Sequence, residues 1–335
     1  LIYTNEVIGN IMESYPVVPL FSVVGVVVVA LTLFIFVKTK PTIKDIPSLK
    51  QKVAYLLVYS VIAILAVVAL PKLNNLSASN IFAKEIQSNG VYKFYYAFTH
   101  SELDYEQFYP SIDEKVAEET LLQSLQAGSI ERKIVSQQAE KHYNVVLISV
   151  ESLSAEYLTM YGNDDNRTPF LDELAKKSMF FTNLYATGNR TVRGLEALTL
   201  CLPPTPGESV VKRKDNKDKF TTGSVFRSKG YDVKFLYGGD SYFDNMKDFF
   251  GGNGYDIVDR SSFSPEEVTF ANIWGVCDED MANKAIAVMN EQSKTGKLFF
   301  NHWMTVSNHR PFTYPEGKID IPPTEKRRAG GVKYT

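Results

Sequence analysis

Two residues carry the chemistry this chain could do. Glu151 ends an apolar run, Val145-Val146-Leu147-Ile148-Ser149-Val150, and Thr191 follows a Gly188-Asn189-Arg190 turn at the start of a helical pattern. A carboxylate at the mouth of a buried strand is costly unless it is paired or holds a metal; a helix N-cap or a structural ion pair is the plain alternative. A hydroxyl at a helix N-terminus sits in positive potential, which suits an alkoxide or a bound phosphate, although a Thr there most often serves as an N-cap. A free Thr hydroxyl is a poor nucleophile until a cation or an adjacent base lowers its pKa. Glu151 is placed to hold such a cation, and a Glu/Thr oxygen site favours Mg2+ or Mn2+ over a thiolate-bound metal. Arg190 and Arg193 flank Thr191, and arginine suits bidentate phosphate recognition.

The elements that must position these residues follow an alternating pattern from His142 onward. Strands are expected over Val145–Val150, Met179–Tyr185, Asp232–Tyr237 and Leu298–Val306. Helices are expected from Thr168-Pro169, with Thr168 as N-cap, over Val192–Leu200, ending over Val225–Lys229, and over Met281–Gln292. Such alternation implies an α/β fold with a mostly parallel sheet flanked by helices. Val145–Val150 reads as a strand buried on both faces. Ligands of open α/β sheets bind beyond the carboxyl ends of the strands. The loops Glu151-Ser152, Gly188–Thr191, Gly238-Gly239-Asp240 and Ser307–Arg310 are therefore expected to converge. Asp240 either lines that site or is a turn residue. His302 reads as a core histidine. Trp274 is a stacking surface or core.

Upstream the composition differs. Val17 to Val37 and Val53 to Leu70 are uncharged and apolar, long enough to cross a bilayer as helices. Five lysines between them, Lys38, Lys40, Lys44, Lys50 and Lys52, put that loop on the cytoplasmic side. Leu1–Tyr15 and everything after Pro71 then lie outside. The expected domains are a membrane anchor at 1–71, an extracytoplasmic linker at 72–141 and a catalytic domain at 142–335. Within the linker, 79–87, 91–98 and 114–125 are candidate helices. The chain reads as part of a longer protein at both ends. A net charge of −2 makes no case for nucleic acid. Cys201 and Cys277 allow one pairing, which an oxidising compartment would favour over two thiols. Lys212-Arg213-Lys214 is a solvated loop or a contact for anionic lipid headgroups.

Taken with Thr-Pro-Phe-Leu-Asp at 168–172, Gly-Asn-Arg-Thr-Val-Arg-Gly at 188–194, Pro-Pro-Thr-Pro-Gly at 203–207, Tyr-Phe-Asp-Asn-Met at 242–246 and Ser-Asn-His-Arg-Pro-Phe at 307–312, the sequence resembles the lipoteichoic acid synthase family. These are membrane-anchored phosphoglycerol transferases of the alkaline phosphatase and sulfatase superfamily. The resemblance implies that Glu151 is a metal ligand, that Thr191 is both ligand and nucleophile, that His309 contacts the substrate phosphate, and that the metal is Mn2+ or Mg2+. It implies a phospholipid donor, a glycan or lipid acceptor, and a multi-pass protein of the bacterial inner membrane with an extracytoplasmic catalytic domain. The reaction would run in two steps through a glycerophospho-Thr intermediate. A phosphoethanolamine transferase, a phosphodiesterase or sulfatase-like hydrolase, and an inactive binding module of the same fold are the alternatives. The family draws two further metal ligands from an Asp-His pair. This chain has no such pair, its histidines being His100, His142, His302 and His309. Where founding members place a His, a Trp and an Arg around the glycerophosphate, this chain has Tyr237, Asp244 and Met246.

Overall fold

The computed structural model describes residues 4–39, 47–74, 80, 86, 88–99, 110–131, 135–203, 205 and 207–335. Two compact units emerge, one of Leu1–Val17 with Glu131–Thr335, the other of Val18–Ile130. In chain order the elements are helices α1 (Thr4–Ser14), α2 (Val17–Thr39), α3 (Leu49–Asn74), α4 (Gly90–Thr99) and α5 (Glu114–Leu125). Strand β1 (Val145–Ser149), helices α6 (Pro169–Lys176), α7 (Thr191–Leu200) and α8 (Thr222–Ser228), strand β2 (Asp232–Tyr237), helix α9 (Met246–Gly252) and strand β3 (Asp256–Val258) come next. The short strands β4 (Ala271–Asn272) and β5 (Gly275–Val276), helix α10 (Asp278–Lys294), strand β6 (Phe299–Met304) and helix α11 (Arg328–Tyr334) complete the series.

In the 18–130 unit, α2 and the stretch Leu49–Ala66 of α3 are long and apolar enough to cross a membrane, with mean hydropathies of 3.0 and 1.5. The few hydroxyls of α2 are satisfied within the helix. Ser22, Thr32 and Thr39 each donate to the carbonyl four residues back, at 2.8 Å, so no polar side chain on those turns demands water. The aromatic segment forms α4, and α5 has the expected bounds, capped by the Asp113 carboxylate on the Lys115 N–H. Most of the expected helix over 79–87 and most of the basic loop lie outside the described residues.

The larger unit is built on a four-stranded parallel sheet in the order β1-β6-β2-β3. β2 and β6 sit in the centre and are buried along most of their length. Helices cover both faces. On one, Phe235 of β2 stacks on Phe250 of α9 with centroids 3.7 Å apart, and Phe226 of α8 stacks on Phe300 of β6 at 4.4 Å. On the other, Met281 and Ala285 of α10 pack against Leu236. Continuous apolar runs in parallel strands are what burial on both faces demands.

Three expectations need correction. β1 is an edge strand with β6 as its neighbour, and its outer side chains Val146 and Ile148 are exposed; the apolar run therefore does not mean burial on both faces. Met179–Tyr185 forms no strand: it is irregular, and Met179, Phe181, Leu184 and Tyr185 are exposed. Its apolar composition resembles a strand, but among the described residues no neighbouring strand supplies the ladder that extended backbone requires. Thr168 does occupy the N-cap of α6, yet its hydroxyl does not cap. It donates to Tyr157 O and to the Asp172 carboxylate.

Candidate active site

The strand register brings three of the four expected loops to one edge. Ser149, Met304 and Tyr237, the last residues of β1, β6 and β2, are direct partners across the sheet. The segments after them leave the sheet side by side.

Glu151 is buried, and its backbone is clamped by the β6 side. Its N–H donates to Thr305 Oγ1 at 2.9 Å, and its carbonyl accepts from Asn308 Nδ2 at 2.8 Å. The segment 306–307 is held in turn by Asp278 at the start of α10. The Asp278 carboxylate accepts the N–H groups of Val306 at 2.7 Å and Ser307 at 3.0 Å. Burial raises the Asp278 pKa, and those two N–H bonds oppose the rise. Ser152 takes a left-handed φ of 53°, a conformation a non-glycine residue adopts at a cost. From there its hydroxyl donates to Glu151 Oε1 at 2.6 Å.

The fourth loop joins through a side chain. Thr191 Oγ1 donates to Glu151 Oε2 at 3.0 Å, forty residues apart in sequence. Arg190, not Thr191, is the N-cap of α7, and it makes no side-chain capping bond. Thr191 is the first helical residue, so its hydroxyl is not used for capping and is turned to the carboxylate. Its own N–H and that of Val192 precede the first intrahelical donors, Arg193 and Gly194. The turn before it needs Gly188, because a Cβ there would fall 2.8 Å from Arg193 Cβ.

The remaining expected residues separate. Arg190 is exposed. Arg193 is engaged within the protein: Nη1 meets the buried Glu196 carboxylate at 3.1 Å and Nη2 donates to the Gly207 carbonyl. His309 packs its ring on Trp274, with centroids 3.9 Å apart. Trp274 is half-buried and donates from Nε1 to Arg310 O at 2.5 Å. With Asp240, Tyr237, Phe243 and Arg260 it lines a cleft of about 230 Å³. Tyr237 ties this cleft to the Glu151 pair. Burial pushes its hydroxyl pKa up, and the negative charges of Glu151, Asp244, Asp278 and Asp240 add to the rise. Asp244 is salt-bridged to Lys212 at 2.9 Å, and Met246 is buried in the core. His302 is fully buried as expected, with Nε2 2.7 Å from Ser149 Oγ. Cys201 is exposed and Cys277 buried, both as free thiols.

Thr305 and Asn308 are the residues that sequence reading did not single out as positioning the pair. Their signal is indirect: each lies within four residues of Met304, the end of the strand in register with β1. Glu151 and Thr191 offer a carboxylate and a hydroxyl oxygen, the donor types a hard divalent cation takes. The donor pair fits such an ion in kind. Among the described residues no group of three or more His, Cys, Asp or Glu side chains converges on a metal position.

Comparison with known proteins agrees with this architecture. The sulfatase family model matches residues 143–328. Lipoteichoic acid synthase 2 of Bacillus subtilis is 25% identical over 184 residues, which are 53% of this chain and 28% of that protein. Phosphoglycerol transferase I of Escherichia fergusonii is 25% identical over 181 residues, 50% of this chain and 23% of that protein. The chain thus matches about a quarter of the length of these relatives. Among solved structures, a protein of the alkaline phosphatase superfamily from Vibrio parahaemolyticus superimposes with a TM-score of 0.62 at 38% identity, covering 69% of this chain and 58% of that one. The lipoteichoic acid synthase LtaP of Listeria monocytogenes, at a TM-score of 0.50 and 21% identity, shares the fold over 57% of this chain and 49% of its own. The chain belongs to the sulfatase family.

Proposed function

We propose that this protein is a membrane-anchored transferase that moves a phosphoglycerol-type headgroup from a phospholipid to a glycan or lipid acceptor outside the cytoplasm, with Thr191 as nucleophile. One observation carries the reading: the Thr191 hydroxyl, at the positive end of α7, donates directly to the buried Glu151 carboxylate. In the first step Thr191 Oγ bonds to the donor phosphorus as the bond to the diacylglycerol oxygen breaks. The hydroxyl proton passes to Glu151 Oε2, and the departing diacylglycerol oxygen takes a proton from water. In the second step an acceptor hydroxyl attacks phosphorus and gives its proton to water, while the departing Thr191 oxygen takes back the proton held on Glu151 Oε2, restoring the threonine and the carboxylate. The N–H groups of Thr191 and Val192, at the start of α7, face the growing charge on the phosphoryl oxygens. Mg2+ or Mn2+ held by Glu151 and Thr191 would lower the hydroxyl pKa and offset phosphoryl charge. His309 and Asp240 border the leaving and accepted groups, and the exposed Arg190 meets phosphate from the rim. Arg193 supports the loop that carries Thr191.

The relatives' names support the phosphoglycerol reading, and α2 and α3 support a two-span anchor. In this reading the inner-membrane anchor, the linker over 72–141 and the catalytic part follow one another along the chain. This chain by itself, without the Asp-His pair, is expected to be inactive, so the deciding experiment incubates the complete protein, with Mn2+ and with Mg2+, in vesicles containing headgroup-labelled phosphatidylglycerol. Wild type releases diacylglycerol and Thr191→Ala does not. Turnover retained by Thr191→Ala sinks the nucleophile assignment.

A further inference from the structure

Helix α1 is amphipathic, and it lies the unexpected way round. Glu6, Gly9, Asn10, Glu13 and Ser14 recur at spacings of three and four and are the partly covered residues of the helix. Val7, Ile8, Ile11 and Met12 are all exposed. A surface helix ordinarily turns its apolar stripe to the protein. Here the polar stripe is applied to the unit that holds the candidate site, and specific contacts fix it there. The Glu13 carboxylate accepts the Ile273 N–H at 3.1 and 3.3 Å, and the Glu13 carbonyl accepts from Lys326 Nζ. Arg310 donates to Tyr15 Oη at 2.8 Å. Gly9 allows the close approach, since a Cβ there would fall 2.4 Å from Ile273 Cδ1.

The consequence is that Glu6 forms a wall of the 230 Å³ cleft, together with Asp240, Arg260 and Trp274. We propose that Glu6 is a specificity-determining residue that binds the hydroxyl-bearing, polyol part of the ligand; this rests on the transferase reading above. Two carboxylates accept O–H groups and one guanidinium donates to their oxygens, while the aromatic walls cover the carbon skeleton. The acidic pair repels a phosphate, which belongs instead at the N-terminus of α7 beside Thr191. Arg260 in the same wall offsets one of the two carboxylate charges. A neutral, hydroxyl-rich group is what this lining accepts. Two sources share that chemistry: the glycerol of the donor headgroup and the sugar of a glycan acceptor.

The test uses the complete protein in vesicles of labelled phosphatidylglycerol, with octyl glucoside as soluble acceptor, comparing wild type, Glu6→Gln and Glu6→Ala. Loss of a hydrogen bond to a charged group corresponds to about a tenfold or greater loss of affinity. Glu6→Ala should raise KM about tenfold with kcat within about twofold, and Glu6→Gln should fall between. A rise for phosphatidylglycerol without acceptor identifies the donor glycerol; a rise confined to octyl glucoside identifies the acceptor sugar. Unchanged KM for both overturns the proposal, as does an effect seen only when phosphatidylethanolamine replaces the donor. If wild type releases no headgroup, it is the transferase reading that fails. Binding of glycerol 1-phosphate to the Thr191→Ala protein, read by Trp274 fluorescence, then still decides. Added Glu6→Ala weakens that binding about tenfold, and unaltered affinity overturns the role of Glu6.

Discussion

Acidification should destabilise the catalytic unit through one residue, His302. Its ring is fully buried in the centre of β6, edge-on to Phe235 and Phe250, each with its centroid 5.6 Å away. Nε2 meets Ser149 Oγ at 2.7 Å, and Nδ1 has no partner among the described residues. Among the described residues no carboxylate stabilises a protonated ring there, and burial pushes its pKa from 6.5 down to about 4. The sign follows from which state binds the proton first. Between pH 6.5 and 4 the unfolded chain is protonated at this position and the folded chain is not, so stability rises with pH across that window. The contribution is complete above about pH 6.5 and is lost as pH falls towards 4. A shift of about 2.5 units at 1.36 kcal/mol per unit amounts to about 3 kcal/mol. Urea unfolding of the full chain in detergent, followed by tryptophan fluorescence at pH 7, 5.5 and 4, measures it. His302→Gln keeps a hydrogen-bonding partner for Ser149 and removes the titration. Relative to that variant, wild type should lose about 3 kcal/mol between pH 7 and 4, while titrations elsewhere cancel in the difference. A difference that stays constant with pH would refute the reasoning.

Two further outcomes test the framework around the site. Arg193→Ala strands the Glu196 carboxylate, which is 1% exposed and whose Oε1 already lacks a protein partner among the described residues. It should cost about 3 kcal/mol of stability by denaturant unfolding, whereas Arg190→Ala, at an exposed position, should cost well under about 1 kcal/mol. Maleimide should label Cys201 in the native protein and reach Cys277 only on unfolding. Cys277 is buried, and that burial pushes its thiol pKa up. Equal labelling rates for the two would contradict the fold around α10.

The local patterns are legible in the chain because their physics is local. β2 begins and ends at the expected residues, and α5 does as well. α7 is displaced by one residue from its expected start, and α6 carries its proline in the first turn. The two apolar helices follow from length and composition alone. The carboxylate at 151 stands out because it follows an apolar strand, whereas the hydroxyl at 191 is ordinary for a helix start and is marked only by the Gly-Asn-Arg turn before it and the arginines on either side. Strand status is least legible where composition imitates it. Met179–Tyr185 and Val145–Val150 are both apolar runs, but only the second has a neighbour to bond, and even that one has a single neighbouring strand.

Sequence by itself determined these helices, three of the four expected strands and the candidate chemical groups, since each depends on periodicity and side-chain chemistry within a few turns of chain. Only the tertiary structure decided that the Thr191 hydroxyl donates to Glu151 rather than capping α7, and that Arg193 is turned inward to Glu196 while Arg190 is left outside. The same holds for Glu6, which shares a cleft with Asp240 and Trp274 from the far end of the chain. Such pairings depend on strand order, register and helix orientation, which arise from packing between distant segments and leave no mark in the spacing of neighbouring residues.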